Sequence, residues 1–217
     1  MGKQLTRDIP IEPSSSALLY IDIQNYFSSP EGGYFVKKSK DPDFEKSYSF
    51  YFNQLKKVTV PNMQKLQEAC RKKKIEILYT TVESLTLDSR DFSLDYKITG
   101  FSVPKQSTDG KVIDELAPLE NEICISKSSS SVFNSTNINY ILRNLNVRQL
   151  IISGVLTDQC VESAVRDACD LGYLVTLVTD SCTTFSQERH DSSLRTIAGY
   201  CRQLSTEKLI NEINGAK

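Results

Sequence analysis

The chain reads as one α/β domain, a doubly wound and mostly parallel sheet with helices on both faces. Three observations predict it. Strand-length apolar runs alternate with stretches of helical periodicity along most of the sequence, and that alternation builds a parallel sheet covered on both sides. The 217 residues suffice to bury a substantial core and fit a single domain. Three of the apolar runs end on a chemically active side chain, Asp22, Lys127 and Cys160. The carboxyl ends of strands are where open α/β sheets bind ligands.

The elements follow in order. Residues 1–15 are polar, carry Pro10 and Pro13, and read as an extended arm ahead of a domain spanning 16–217. Ala17 to Ile21 is the first strand. Pro61 to Lys72 is a helix with Pro61 near its first turn and Met63, Leu66 and Ala69 on one face. Ile75 to Tyr79 is the second strand and Ile123 to Ser126 the third. Ile138 to Leu145 lies in a helix, and Gln149 to Val155 is the fourth strand. Val161, Ala164, Val165 and Ala168 then recur at helical spacing, and Gly172 ends that helix. A strand over Tyr173 to Val178, a helix over Gln187 to Tyr200, a short edge strand at Gln203 to Ser205 and a terminal helix complete a Rossmann-like order. Two long stretches read as irregular: Ser28 to Tyr51, rich in aromatics, and Thr80 to Lys111, polar with scattered aromatics. Loops of this length are lids or pocket walls, or insertions packed on the surface or against another subunit.

Composition narrows the function. The net charge is −1 with mixed signs, so no basic patch asks for nucleic acid. There is no run of ~18 apolar residues for a membrane span and no leader of signal-peptide type. The six cysteines include no C-x-x-C pair and read as reduced thiols of a cytoplasmic protein. No G-x-G-x-x-G follows the first strand, so a dinucleotide site has no support.

Asp22, Lys127 and Cys160 form the candidate site. A carboxylate or an ammonium at the end of a buried strand is expensive unless paired or used. Cys160 falls in a tight turn at the start of a helix, where unpaired N–H groups and the dipole favour an anion and lower a thiol pKa. Converging at one edge, the ammonium would stabilise a thiolate and the carboxylate could take the thiol proton. Glu83, Arg90, Asp91 and Lys97 are available to grip a polar ligand, and Phe27 and Phe133 fit a pocket wall.

Three segments carry a resemblance. DIQNYF matches D-x-Q-N-x-F, KSSSSVFNST matches K-x-x-x-S-x-F-x-x-T, and GVLTDQCVESAVRDA matches G-V-x-T-D-x-C-V-x-x-x-x-R-D-A. Over roughly Ser16 to Tyr200 the chain resembles the isochorismatase-like cysteine hydrolases, a group that includes nicotinamidases and N-carbamoylsarcosine, ureidoacrylate and biuret amidohydrolases. The resemblance implies a catalytic trio of Asp22, Lys127 and Cys160. It implies an oxyanion hole from the backbone of Leu156 and Cys160 and a cis peptide at Val155–Leu156; the candidate substrate contacts are Gln24, Phe27, Glu83, Arg90 and Phe133. It implies a small amide or ureido substrate, no cofactor, and a homo-oligomer. The histidine cluster of metal-dependent nicotinamidases is missing from TTVESLTLDSRD, and the single His190 cannot build a nitrogen-rich metal site. His190 opens a helix and reads as a structural contact, since Lys127 already stands beside the thiol in the pattern. The segment SLTLDSRDFSLDYK leans toward the ureido and biuret hydrolases. Two alternatives remain: a vinyl-ether hydrolase, against which Cys160 argues, and a non-catalytic member of the fold, against which the intact trio argues.

Overall fold

The computed structural model describes residues 5–216. Its strands are β1 (Ser16–Ile21), β2 (Glu76–Val82), β3 (Ile123–Lys127), β4 (Gln149–Val155), β5 (Leu174–Thr183) and β6 (Arg202–Leu204). All pair in parallel, in the spatial order β3-β2-β1-β4-β5-β6. The helices are α1 (Asn25–Ser28), α2 (Gly33–Val36), α3 (Phe44–Gln54), α4 (Val60–Lys72), α5 (Leu94–Thr99), α6 (Val132–Ser135), α7 (Ile138–Asn144), α8 (Glu162–Asp170), α9 (Gln187–Ile197) and α10 (Thr206–Gly215).

Strand residues point alternately to the two faces, and each face has its own core. Ala17, Leu19 and Ile21 of β1 pack with Ile138, Leu142, Val165, Ala168 and Ile197 from α7, α8 and α9. Leu18 and Tyr20 pack with Met63 and Leu66 of α4 and Leu209 and Ile213 of α10. Because both faces are covered, the strands read as flat apolar runs rather than as alternating ones. The order of connection reverses between β1 and β4, so a crevice opens beyond their carboxyl ends.

Three expectations need correcting. The stretch from Ser28 to Tyr51 is not irregular: α3 fills its second half and runs through a π-helical turn, Leu55–Thr59, directly into α4. Pro61 therefore sits inside a helical path from Phe44 to Lys72, just after the widened turn. Such turns accompany proline because the ladder is already interrupted there. The stretch from Thr80 to Lys111 is also partly ordered. β2 continues to Val82, and α5 forms with Ser93 as its N-cap and Gly100 closing it in the left-handed region at φ 80°. Finally, β5 runs five residues past Val178 to Thr183. Polar Thr179, Asp180 and Ser181 hide this extension from an apolar count, yet Cys182 and Thr183 pair with Gly154 and Val155 after a register shift.

The arm is docked where it can be described. Ile11 is buried and its N–H donates to Glu212 Oε1 at 2.8 Å, while the Glu12 N–H donates to Gln149 Oε1 at 2.6 Å. Residues 1–4 lie outside the described part. No described helix is long and apolar enough to cross a membrane.

Candidate active site

Asp22 follows β1 directly, in the left-handed region at φ 53°, a conformation that Asp tolerates better than most residues. That turn is held by its N–H, which donates to Thr80 O at 3.0 Å. The carboxylate is 1% exposed. Its Oδ1 accepts from Thr80 Oγ1 at 3.1 Å, and Oδ2 lies 2.9 Å from Lys127 Nζ. Lys127 is the last residue of β3, in register with Val82 at the end of β2. Its ammonium is fully enclosed. It donates to Ser129 O at 2.9 Å and Tyr96 Oη at 3.0 Å, and lies 3.4 Å from Cys160 Sγ. The structure thus brings Asp22, Lys127 and Cys160 into one buried cluster at the carboxyl edge.

Cys160 stands in a π-helical turn, Thr157–Val161, between β4 and α8. The peptide bond between Val155 and Leu156 is cis. Just before it, Gly154 has φ 139° and lies so close to β1 that a Cβ would collide with the Ile21 carbonyl oxygen. Only glycine lets the end of β4 approach the residue before Asp22 this closely. The turn is braced from α9. Thr157 Oγ1 and His190 Nδ1 are 2.9 Å apart, and Ser193 Oγ donates to Thr157 O at 3.2 Å. Asp158 pairs with Arg189 at 2.5 Å and accepts from Thr184 Oγ1 at 2.5 Å. His190 is therefore a support of the turn rather than a neighbour of the sulfur.

The electrostatics revise one expectation. Burial pushes the Cys160 thiol up from 9.0 to about 11; Lys127 pulls it down, while the Asp22 carboxylate and its hydrogen bond to the thiol push it up again. Burial would lower Lys127, but Asp22, Cys160 and Tyr96 together hold it well above 10.5. With Asp22 and Lys127 as an ion pair beside a neutral thiol, the trio carries no net charge. A free thiolate would leave an uncompensated negative charge in a site with little water, which is costly. Moving the thiol proton onto Asp22 instead gives a neutral acid, an ammonium and a thiolate, and the sum stays at zero.

Before the sulfur lies a narrow pocket lined by Asp22, Phe27, Phe101, Val155, Leu156, Gln159 and Cys160. Its aromatic wall is continuous. Phe27 and Phe101 have centroids 5.7 Å apart, Tyr34 meets Phe101 edge-on at 5.7 Å, and Tyr34 stacks on Phe185 at 5.9 Å.

Of the ligand contacts expected from sequence, Phe27 lies in this wall and the six others lie elsewhere. Both ends of the Gln24 amide are occupied by backbone: Nε2 donates to Val82 O and Asp109 O, each at 2.9 Å, and Oε1 accepts from Val82 N at 2.6 Å. Glu83 accepts from Gln106 N and Ser126 Oγ, each at 2.7 Å, and so ties the loop at Gln106 to β3. Arg90 is 74% exposed and meets Asp88 at 3.3 Å, and Asp91 caps its own loop through Leu85 N and Thr86 Oγ1. Lys97 is exposed on α5. Phe133 packs toward Tyr173 at 6.2 Å, within the core on the α8 face. Sequence reasoning missed Phe101, Gln159 and Tyr96. Gln159 adjoins Cys160 and could have been named from that alone. The short helix that carries Tyr96 has a signal in SLDYKITG, where Ser93 and Gly100 bracket it, but nothing in that segment places Tyr96 beside the sulfur.

Comparison with known proteins places the chain in a family. A family model described as the isochorismatase domain matches residues 16–208. Ureidoacrylate amidohydrolase RutB of Rhizobium rhizogenes is 25% identical, over 91% of this chain and 86% of that protein. Nicotinamidase 3 of Arabidopsis thaliana is 24% identical, over 94% of this chain and 92% of that protein. Among solved structures, a cysteine hydrolase from Pseudomonas syringae pv. phaseolicola 1448A superposes with a TM-score of 0.80 at 24% identity, over the whole of both chains.

Proposed function

The chain belongs to the isochorismatase family, and from that premise we propose that it is a cysteine amidohydrolase that cleaves a C–N bond of a small amide, ureido or carbamoyl compound. One observation carries the reading. Asp22 Oδ2, Lys127 Nζ and Cys160 Sγ lie in sequence at 2.9 and 3.4 Å, enclosed at the carboxyl edge of the sheet.

In the first half-reaction the Cys160 proton passes to Asp22 and the sulfur attacks the substrate carbonyl carbon. Lys127 holds the thiolate beside it. The oxyanion of the tetrahedral adduct would be met by the N–H groups of Leu156 and Cys160, each worth about 3–4 kcal/mol in comparable sites. The adduct collapses with loss of the C–N bond. Asp22 returns its proton to the departing nitrogen, ammonia or an amine leaves, and a thioester remains on Cys160. In the second half-reaction Asp22, again a carboxylate, deprotonates water. The hydroxide cleaves the thioester, and the proton held by Asp22 restores the thiol. Each half-reaction moves a proton within the trio and never requires the enclosed site to carry a net charge.

Phe27 and Phe101 form the wall against which a planar amide would rest. The six cysteines are free, which fits a reducing, cytoplasmic setting. Leu85, Leu87, Leu94 and Ile98 stand in solvent around α5, and a second copy of the chain covering them would make the homo-oligomer; sedimentation of wild type against a Leu87→Asp, Ile98→Asp variant tests this.

The experiment that tests the activity is ammonia release from a panel of small amides and ureas, with mass spectrometry of the enzyme during turnover. Wild type should release ammonia and carry an acyl adduct on the Cys160 peptide, and Cys160→Ser should do neither. Turnover undiminished in Cys160→Ser would overturn the mechanism.

A further inference from the structure

We propose that Tyr96 is a fourth member of the reactive cluster, its phenol donating a hydrogen bond to the Cys160 sulfur and steadying the thiolate that forms when the proton passes to Asp22. The inference rests on the cysteine mechanism proposed above and adds a positioning residue that the three motifs do not contain.

Its placement is built from local structure. Ser93 Oγ accepts from Tyr96 N at 3.3 Å and starts α5, while the Ser93 N–H donates to Ser128 O at 2.9 Å. The second bond fastens α5 beside the residue that follows Lys127. The Tyr96 ring is 2% exposed, wedged between Phe92 at 5.5 Å and Phe101 at 4.5 Å. Packing therefore sets the ring and leaves the hydroxyl one place to reach.

Hydrogen-bond inventory fixes the direction of donation. The Lys127 ammonium has donors only, so across the 3.0 Å contact the Tyr96 oxygen accepts. Its own hydrogen remains to be placed. Among the described residues, the partner within reach is Cys160 Sγ, 3.7 Å from Tyr96 Oη and inside the longer range of bonds to sulfur. A donor aimed at sulfur favours its charged form, and donation from the ammonium polarises the phenol and strengthens that bond. Enclosure raises the Tyr96 phenol despite Lys127, so the group stays protonated and remains a donor throughout the working range. The relay runs from Lys127 through Tyr96 to the sulfur, alongside the direct contact from Lys127.

The test is the rate at which iodoacetamide labels the Cys160 peptide, followed by mass spectrometry from pH 7 to 11 in wild type and Tyr96→Phe. Phenylalanine keeps the ring between Phe92 and Phe101 and removes only the donor. Labelling depends on the thiolate fraction and needs no substrate, so it is readable whether or not any amide of the panel is turned over. Failure of this inference is thereby separate from failure of the activity. The expected result is a profile displaced to higher pH, with labelling at pH 8 slower by on the order of tenfold, as a rise of about one pKa unit gives. On a turned-over amide, kcat should fall with KM little changed. An unchanged labelling profile overturns the proposal, including the case in which KM alone rises, which would make Tyr96 a substrate contact. A second measurement guards against a variant that fails to fold. Wild type carrying 3,5-difluorotyrosine has a more acidic, stronger donor, and its Cys160 should label faster at pH 8; equal rates would overturn the relay.

Discussion

The two edges of the sheet hold ion pairs of opposite character. At the amino edge Arg71 grips both oxygens of Glu122 at 2.8 Å, and Glu122 also accepts from Tyr79 and from Leu119 N. Arg202 grips Glu212 at 2.8 and 2.9 Å, and the same carboxylate anchors the arm through Ile11 N. Every strong donor there meets a matching acceptor, and both pairs keep some contact with solvent. At the carboxyl edge the Lys127–Asp22 pair is fully enclosed and shares its space with a thiol. The first arrangement can only hold elements together. In the proposed mechanism the second gives a proton two places to reside, separated by no change in total charge. Under the proposed mechanism, chemistry at this sheet depends on an ion pair that shares an enclosed space with a thiol.

The largest expected effect concerns the sulfur itself. Cys160→Ala should lower turnover by on the order of 10⁵-fold or more with the heat-denaturation midpoint nearly unchanged. Activity above about one hundredth of wild type would mean that another group does the work.

The carboxylates of the two edges give the next contrast. Asp22→Asn should cut turnover by about 10²–10⁴-fold per folded molecule, and it should destabilise by about 3–5 kcal/mol because Lys127 is left enclosed without its counter-charge. Glu122→Gln should leave turnover intact and cost only about 1–2 kcal/mol. Denaturant midpoints and turnover on the same preparations decide. If the two variants lose activity only in proportion to their folded fraction, the distinction between the edges fails.

Smaller effects follow from protonation. Glu122 and Glu212 lie partly buried, which raises a carboxyl pKa, but hydrogen bonds from Arg71 and Arg202 hold both below 4.5. A depressed folded pKa means stability that is present above the unfolded value and lost as pH falls through the folded one. The stability gap between wild type and Glu122→Gln should therefore persist at pH 7 and close below about pH 4. At the other edge the sign is reversed. Cys160 is raised from 9.0 to about 11, so the share of stability due to its neutral thiol is present below pH 9 and lost as pH rises toward 11. Iodoacetamide labelling of Cys160 should climb about tenfold per pH unit from 8 to 10. A plateau near pH 8 would show a thiolate already formed at rest.

What the sequence discloses divides along the same physical line. Strands buried on both faces announce themselves as apolar runs, and a charged residue at the end of such a run is conspicuous because burial makes it expensive; Asp22, Lys127 and Cys160 were legible for that reason. Gln24 was legible as a motif member but not as a backbone clamp, since an amide gives the same letter whether it holds a ligand or a loop. The polar end of β5 was hidden because its pairing follows from the register shift at Gly154, a tertiary event. Tyr96 and Phe101 were hidden because their place at the site depends on how the segment after β2 folds back, and no periodicity records that.

The helical path from Phe44 to Lys72 has a consequence for the dynamics of the site. Phe35, Tyr48, Tyr51 and Phe52 interlock with Phe185 and Tyr34, and Tyr51 donates to Phe27 O at 3.0 Å. The wall of the cavity is thus rooted, through one uninterrupted run of backbone, in the α4 side of the core. Segments whose amides share a core open with it rather than on their own. Amide hydrogens of Tyr48 to Phe52 should exchange with deuterium nearly as slowly as those of Leu66 to Cys70. If they do, opening of the pocket mouth would fall to the side chains of Phe27 and Phe101 rather than to this backbone.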